Sequence, residues 1–518
     1  MRIPLQASLA CVLIATFSVP AFAQSAASCA ALSDYSQTGF NVAVTSAEHH
    51  TERQLPARGP SPGLTLAPHC HVEGEIDRRM GSDGKSYALR FAVNMPDDWN
   101  GRFLFQGGGG LNGSLAEPVG GQAVGGRDAL SRGFAVVSTD SGHEGAGFDG
   151  SFMADQEAAM NFLLLGNMRV TLVAKPLVEA YYSSAISKSY FVGCSTGGRE
   201  GMVMAQRYPY LYDGIVSGAP AIRTGLSNLG LRWMNVHWNR AAQEVSGSIP
   251  APNELWSAEE GALIVNGLVQ ACDALDGAED GLVFDIAHCA FDPMTLACAA
   301  GQTQNCLAPA KAEALVNGLA GPVDSRGVQV YSRFVLDTGA DDRNGRQGGM
   351  LAGGSVPPEG VSVAGLVTQD VDAEFIAMTT TDAAQGDATA LRMSSFSAKG
   401  GKQIFYHGVS DPWFSAMDTV EYYQNMAAAN GGLQTVDEWS RVFLVPGMGH
   451  CAGGQQTLDS FDMLDPIIDW VENGVAPASV VATGNSMPGV SRPLCPYPQH
   501  PHYTGNGDIN AAANFECR

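Results

Sequence analysis

The chain has 518 residues, 29 basic against 52 acidic side chains, a net charge of −23 and 45% hydrophobic residues. Such acidity argues against nucleic acid or an anionic membrane surface as partner, though it says little about fold. The length is enough for large cores and favours two domains over one.

The first residues, MRIPLQASLACVLIATFSVPAFAQ, have a basic start, an apolar middle and Ala21-Phe22-Ala23 before Gln24. This is the layout of a secretory signal cleaved after residue 23, and Cys11 lacks the leucine three positions earlier that a lipid anchor would favour. No later run approaches the roughly 18 apolar residues of a membrane span. The mature chain of 495 residues carries 28 basic and 52 acidic side chains, a net −24, with 10 cysteines. An even cysteine count in an exported protein favours disulfides over metal thiolates.

In chain order, YALRFAV (87–93) and RFLFQ (102–106) predict strands, the second running into the glycines 107–110. GFAVVSTD (133–140) predicts another buried strand and residues 158–182 a long helix. SKSYFVG (187–193) predicts a short strand, REGMVMAQRY (199–208) a helix and YDGIVSGAP (212–220) a strand with a Gly/Pro stop. The alternation resumes with KQIFYHG (402–408), MDTVEYYQNMAAA (417–429), RVFLVPG (441–447) and SFDMLDPIIDWVENG (460–474). Strand–helix alternation on both sides implies one α/β unit with a parallel sheet. The stretch between, 223–398, reads as a loop-rich second domain inserted into the first, with four cysteines and a glycine-rich segment at 344–354.

At the junction of the strand 187–193 and the helix 199–208 stands Gly193-Cys194-Ser195-Thr196-Gly197. A serine on a sharp strand-to-helix turn needs glycines on both sides, and the turn presents its hydroxyl to a reacting carbonyl. The string alone also arises by chance; the strand before it and the helix after it supply the context that makes it a nucleophile. A serine needs a base and an orienting acid, in the chain order Ser, acid, His for α/β-hydrolases. Asp411 in GVSDPWF follows one predicted strand, and His450 in PGMGHC follows another. Both therefore lie at carboxyl ends of strands, where open α/β sheets display their sites. Taken singly, Asp411 reads equally as a helix cap and His450 as a surface-loop residue. For an oxyanion hole, Thr196 N–H is one donor by the geometry of the turn, and Gly110 in FQGGGGLNG is the favoured second. Cys194 beside the serine admits two readings, a rival thiol nucleophile or a structural sulfur.

The loop CDALDGAEDGLVFD (272–285) places Asp273, Asp276 and Asp280 among glycines. Hard carboxylate oxygens in such a cluster suit Ca²⁺, but the spacing is not that of an EF-hand, and acidic surface turns are common.

Together GCSTGGREG, HGVSD, PGMGHC and the tail RPLCPYP…GDINAAANFEC resemble the tannase and feruloyl esterase family, which includes bacterial mono(2-hydroxyethyl) terephthalate hydrolases. The resemblance extends from about Cys29 to Cys517. It implies an α/β-hydrolase core, residues 24–222 and 399–518, with an inserted lid domain, 223–398. It assigns Ser195 as nucleophile, His450 as base and Asp411 as acid, and implies a Cys194–Cys451 disulfide. The further pairings it suggests are Cys29–Cys70, Cys272–Cys289, Cys298–Cys306 and Cys495–Cys517. Carried onto the acidic loop, it makes Asp273, Asp276 and Asp280 side-chain ligands of a structural calcium, with the carbonyls of Ala278 and Leu282. The activity implied is hydrolysis of small aromatic-acid esters, feruloyl or galloyl, through an acyl-enzyme, with no redox cofactor. The alternative within the class is a mono(2-hydroxyethyl) terephthalate hydrolase. Arg392 and Phe396 match the spacing of that branch's carboxylate-binding pair, but their position just before the core resumes leaves the role unassigned. Trp233, Trp238, Phe375 and Phe396 are aromatic candidates in the lid, against the commoner reading of core packing. From other classes, a serine peptidase would use the same three residues, and a calcium-dependent carbohydrate-binding protein would use none.

Overall fold

A computed structural model describes residues 26–57, 63–249, 255–343, 348–351 and 366–518. The signal segment 1–23 lies outside the described residues.

Nine strands form the central sheet: β1 (Val42–His50), β2 (His69–Met80), β3 (Ser86–Pro96), β4 (Arg102–Gln106), β5 (Ala135–Thr139), β6 (Lys188–Cys194), β7 (Gly214–Gly218), β8 (Lys402–Gly408) and β9 (Ser440–Val445). Their spatial order is β1-β2-β3-β5-β4-β6-β7-β8-β9. The wholly parallel sheet expected from the sequence is half right. From β5 onward each pairing is parallel, whereas β1–β2, β2–β3 and β3–β5 are antiparallel. The reason is local: β2 and β3 are joined by a short Gly-containing turn, which suffices for an antiparallel hairpin but not for a parallel crossover.

The parallel strands are apolar at nearly every position because both faces are covered. Phe103, Phe105, Phe191 and Phe405 point into one core with Val170, Val173 and Leu177 of the helix Gly166–Tyr182. Leu104, Tyr190, Val192, Ile404 and Tyr406 point into the other, against Ile467 and Trp470 of the helix Leu464–Asn473. Successive residues alternate between the two cores, as the period of two requires.

Between β7 and β8 the chain leaves the sheet. This stretch is more helical than its composition suggested, with helices Thr224–Ser246, Ala258–Cys272, Pro309–Leu319 and Val371–Thr380. The helix Ala258–Cys272 carries a full capping box from Ser257 and Glu260, a device worth about 1 kcal/mol. Trp238, Trp256, Ile264, Leu315, Tyr331 and Phe334 build a separate core here. Ion pairing of Arg223 with Asp418 ties this region back to the helix that follows β8.

Candidate active site

Ser195 sits between β6 and the helix Thr196–Arg207 with φ 66° and ψ −125°. A non-glycine residue there costs on the order of 1–3 kcal/mol, so the surroundings must impose it. They do so through the backbone. Ser195 N–H donates to Gly218 O at 3.0 Å, and Ser195 O accepts from Arg199 N–H at 3.0 Å and Ala221 N–H at 3.1 Å. The flanking glycines are required by close approach. A Cβ at Gly193 would lie 2.5 Å from the carbonyl carbon of Gly197, and one at Gly107 only 2.8 Å from Gly197 Cα. The three glycines thus let β4, β6 and the nucleophile helix converge.

Asp411 and His450 follow β8 and β9, and the structure brings them together. His450 Nδ1 donates to Asp411 Oδ2 at 2.6 Å, and both side chains are buried. The other carboxylate oxygen, Oδ1, accepts from the N–H groups of Trp413 at 2.8 Å and Phe414 at 3.1 Å. Burial alone would raise the Asp411 pKa; the charges and hydrogen bonds of His450 and His407 outweigh it and hold the carboxyl below its ordinary range. This fixes the tautomer with the proton on Nδ1, leaving Nε2 as a base. Nε2 of His450 is buried and has no hydrogen-bond partner among the described residues.

The Cys194–Cys451 disulfide settles the ambiguity over the cysteine. It joins the neighbours of Ser195 and His450 with Cα atoms 6.0 Å apart across 257 positions of sequence. Cys194 therefore has no free thiol, which leaves Ser195 as the candidate nucleophile of this turn. The other four disulfides, Cys29–Cys70, Cys272–Cys289, Cys298–Cys306 and Cys495–Cys517, are also formed.

Gly110 and Thr196 meet: the Thr196 hydroxyl donates to Gly110 O. Backbone N–H groups of Gly107 and Gly108 are already engaged, by Val192 O at 2.9 Å and Glu200 Oε2 at 2.9 Å. Gly110 adopts φ 57°, and a Cβ there would lie 2.5 Å from Gly147 O. The buried Glu200 also accepts from Asn112 Nδ2 at 2.9 Å, pinning both ends of the glycine run to the nucleophile helix.

Three supporting residues were not singled out from sequence. His407, in β8, places Nε2 3.2 Å from Asp411 Oδ2 while its Nδ1 meets Thr419 Oγ1 at 2.8 Å. Its signal was its position four residues before the acid. Asp337 comes from the inserted region: its Oδ2 accepts from Ser410 Oγ at 2.8 Å and Gly447 N–H at 2.6 Å. One buried carboxylate thus braces both the loop of Asp411 and the loop of His450, a link no local pattern could reveal. Arg199, wholly buried, donates to Leu163 O at 2.9 Å and Gly386 O at 3.2 Å.

In the acidic loop, Asp273 Oδ1 accepts from Gly281 N–H at 2.9 Å, Asp276 Oδ1 from Ala278 N–H at 3.1 Å and Asp280 Oδ1 from Leu282 N–H at 2.9 Å. Asp280 also pairs with the buried Arg492. Burial, followed by the charges of Asp280 and Asp273, pushes the Asp276 carboxyl up to about 7. Among the described residues no group of three or more His, Cys, Asp or Glu side chains is arranged to hold a metal ion. As they stand, these carboxylates are satisfied by N–H and guanidinium donors. The loop also leans on the histidine loop, through Gln456 Nε2 donating to Asp280 O at 3.4 Å.

The lid aromatics resolve toward packing. Trp238 lies in the inserted core edge-on to Trp256, and Phe396 is buried against Trp439. Trp233 donates to Asn317 O, and Phe375 packs partly buried beside Leu229 and Val371. Arg392 is exposed in a groove with Tyr208 and Tyr210, beyond the far end of the 12-residue nucleophile helix. That helix is roughly 18 Å long at 1.5 Å per residue. The aromatics that do border the site are Trp413 and Phe414, whose rings lie 5.0 and 5.2 Å from that of His450.

A serine on a strained turn, a buried Asp–His pair and a mixed sheet in this order define an α/β-hydrolase. The family model described as tannase and feruloyl esterase matches residues 70–380 and 356–518, and the chain belongs to this family. It is 37% identical to a mono(2-hydroxyethyl) terephthalate hydrolase from Piscinibacter sakaiensis, over 87% of this chain and 85% of that one. It is 28% identical to a probable feruloyl esterase B-2 from Neosartorya fischeri, over 89% and 88%. Feruloyl esterase B from Aspergillus oryzae superposes with a TM-score of 0.77 at 26% identity, over 95% of this chain and all of that one. A tannin acyl hydrolase from Aspergillus niger shares the fold, with a TM-score of 0.73 at 23% identity over 95% and 94% of the two chains. The protein is a carboxylic ester hydrolase.

Proposed function

We propose that this esterase acts on esters of small aromatic acids through a covalent acyl-enzyme, with Ser195 as nucleophile, His450 as base and Asp411 as the acid that orients it. The observation that carries the reading is the buried Asp411–His450 pair with Nε2 left unpartnered, tied by a disulfide to the strained serine. Ser195 Oγ attacks the ester carbonyl as His450 takes its proton; the oxyanion rests on Thr196 N–H and Gly110 N–H. His450 then protonates the departing alcohol. Water, deprotonated by His450, attacks the acyl carbonyl, releasing the acid and restoring Ser195. No metal or redox group enters these steps.

The name of the Neosartorya fischeri relative supports feruloyl substrates, the family description, tannase and feruloyl esterase, supports galloyl ones, and the relative at 37% identity supports a terephthalate monoester as the second reading. The deciding experiment is a panel of methyl ferulate, methyl gallate, mono(2-hydroxyethyl) terephthalate and peptide anilides, with wild type and Ser195→Ala in parallel. Turnover of an aromatic-acid ester that Ser195→Ala abolishes is expected. Cleavage of anilides alone would replace the reading with a peptidase, and equal activity of the variant would remove the serine from the mechanism.

Export is part of the proposal: five disulfides suit an oxidising compartment, and no helix among the described residues is long and apolar enough to cross a membrane. So is a structural Ca²⁺ in the loop 272–285. Support comes from three carboxylates gathered in one loop, where burial and the charge of Asp280 raise the Asp273 and Asp276 carboxyls; ligation by Asp280 requires it to turn from Arg492. The ion's role would be to neutralise the loop.

A further inference from the structure

We propose that Phe148, together with Trp413, forms the aromatic wall that receives the acyl ring of the substrate, making Phe148 a specificity-determining residue. The inference rests on the aromatic-ester reading and assigns it a place.

Phe148 is 74% exposed, the second most exposed large apolar side chain among the described residues after Tyr210. Its backbone is not loose. Leu111 N–H donates to Gly147 O at 2.9 Å, Gly145 N–H to Gly113 O at 3.0 Å and Asp149 N–H to Ala146 O at 3.0 Å. These bonds fasten the loop 145–149 onto the glycine run that carries Gly110. A fixed loop thus holds an aromatic ring in solvent, where apolar surface is unfavourable unless something covers it.

Its neighbours say what covers it. The Phe148 ring meets that of Trp413 edge to face, with centroids 6.0 Å apart and planes at 84°. Trp413 in turn lies 5.0 Å from the ring of His450 and is two residues from Asp411. On its other side Phe148 Cε1 comes within 3.7 Å of the Cβ position of Gly110. One aromatic pair therefore spans from the base to the proposed oxyanion loop, the two groups between which the ester carbonyl must sit. The edge-to-face arrangement leaves ring faces for a third aromatic group at the 4.5–7 Å spacing such contacts adopt. Phe148 lies on the loop after β5 and Trp413 on the loop after β8, so both rings come from outside the inserted region, whose tryptophan candidates serve packing.

The test compares Phe148→Ala, Phe148→Tyr and wild type on methyl ferulate, methyl butyrate and 4-nitrophenyl acetate. An exposed side chain can be truncated without unfolding, and circular dichroism of the variants checks this. For Phe148→Ala, kcat/KM on methyl ferulate should fall about 3- to 10-fold, the range of one aromatic contact, while methyl butyrate changes less than about twofold. Phe148→Tyr should restore ferulate turnover. Equal losses on ferulate and butyrate would make the role structural and overturn the proposal. A loss confined to 4-nitrophenyl acetate would move the ring contact to the alcohol side and overturn the acyl assignment. Unchanged ferulate turnover would remove Phe148 from recognition while leaving the aromatic-ester reading intact. A wild type that cleaves butyrate but no aromatic-acid ester would overturn both.

Discussion

Two buried carboxylates, Asp411 behind the histidine and Asp276 in the acidic loop, show how surroundings divide one chemical group into two uses. Burial raises both. At Asp411 two histidines and two backbone N–H groups more than offset it, so the carboxyl stays ionised and can orient a base. At Asp276 the nearby charges are Asp280 and Asp273, which add to burial and push it up to about 7. Burial is the largest influence on both, and the sign of the neighbouring charges separates their outcomes.

The comparison can be broken most sharply at Asp411. Asp411→Asn keeps the shape but removes the charge that selects the Nδ1–H tautomer, and kcat should fall about 10³- to 10⁴-fold, by analogy with serine proteases. Steady-state kinetics on any turned-over ester checks this. The same charge carries a stability signature. Asp411 titrates lower in the folded chain than the ordinary 3.8, so its contribution is complete above that value and is lost as pH falls through the folded one. Urea midpoints measured below about pH 4 should therefore depend less on pH in the variant.

Next in size is the brace. Replacing Cys194 and Cys451 together by alanine should lower kcat by about tenfold or more, with KM within about threefold, because the bond fixes reacting groups rather than substrate. The same variant should lose about 2–4 kcal/mol of stability in chemical denaturation. Unchanged turnover in a folded double variant would show that the sheet alone positions serine and histidine.

The smallest effect belongs to the acidic loop. Calcium added to chelator-treated protein should raise Tm by a few degrees; saturation at 100 times Kd corresponds to about 2.7 kcal/mol. Asp276→Asn should abolish the shift, and kcat should change less than twofold. The same Tm with and without calcium would leave the loop to its N–H donors and Arg492.

Much of this site was legible in the chain. Ser195, Asp411 and His450 each follow a strand of strong apolar pattern within five residues, and parallel strands buried on both faces leave a clear signal. The antiparallel β1 and β2 carry a weak signal because His, Glu, Asp and Arg interrupt their apolar residues, as in VAVTSAEHH and HCHVEGEIDRRM. The insert was read as loops because its helices break among glycines and short 3₁₀ turns, and helix formation there depends on a shared core around Trp238 and Leu315. Asp337, His407 and Phe148 were missed for a common reason: each acts on a residue that the fold, not the chain, puts beside it.

The sequence by itself determined the strand-end placement of the three catalytic candidates and the glycines around Ser195, since these depend on local backbone sterics. It also carried the motifs by which the family is recognised. The tertiary structure alone decided that Asp337 spans the loops of Asp411 and His450 and that Phe148 stands against Trp413, and it brings Cys194 to the Cys451 that the family resemblance implies as its partner. Those contacts join positions up to 265 residues apart, Phe148 and Trp413, and no local preference encodes a distance that only the packed sheet creates.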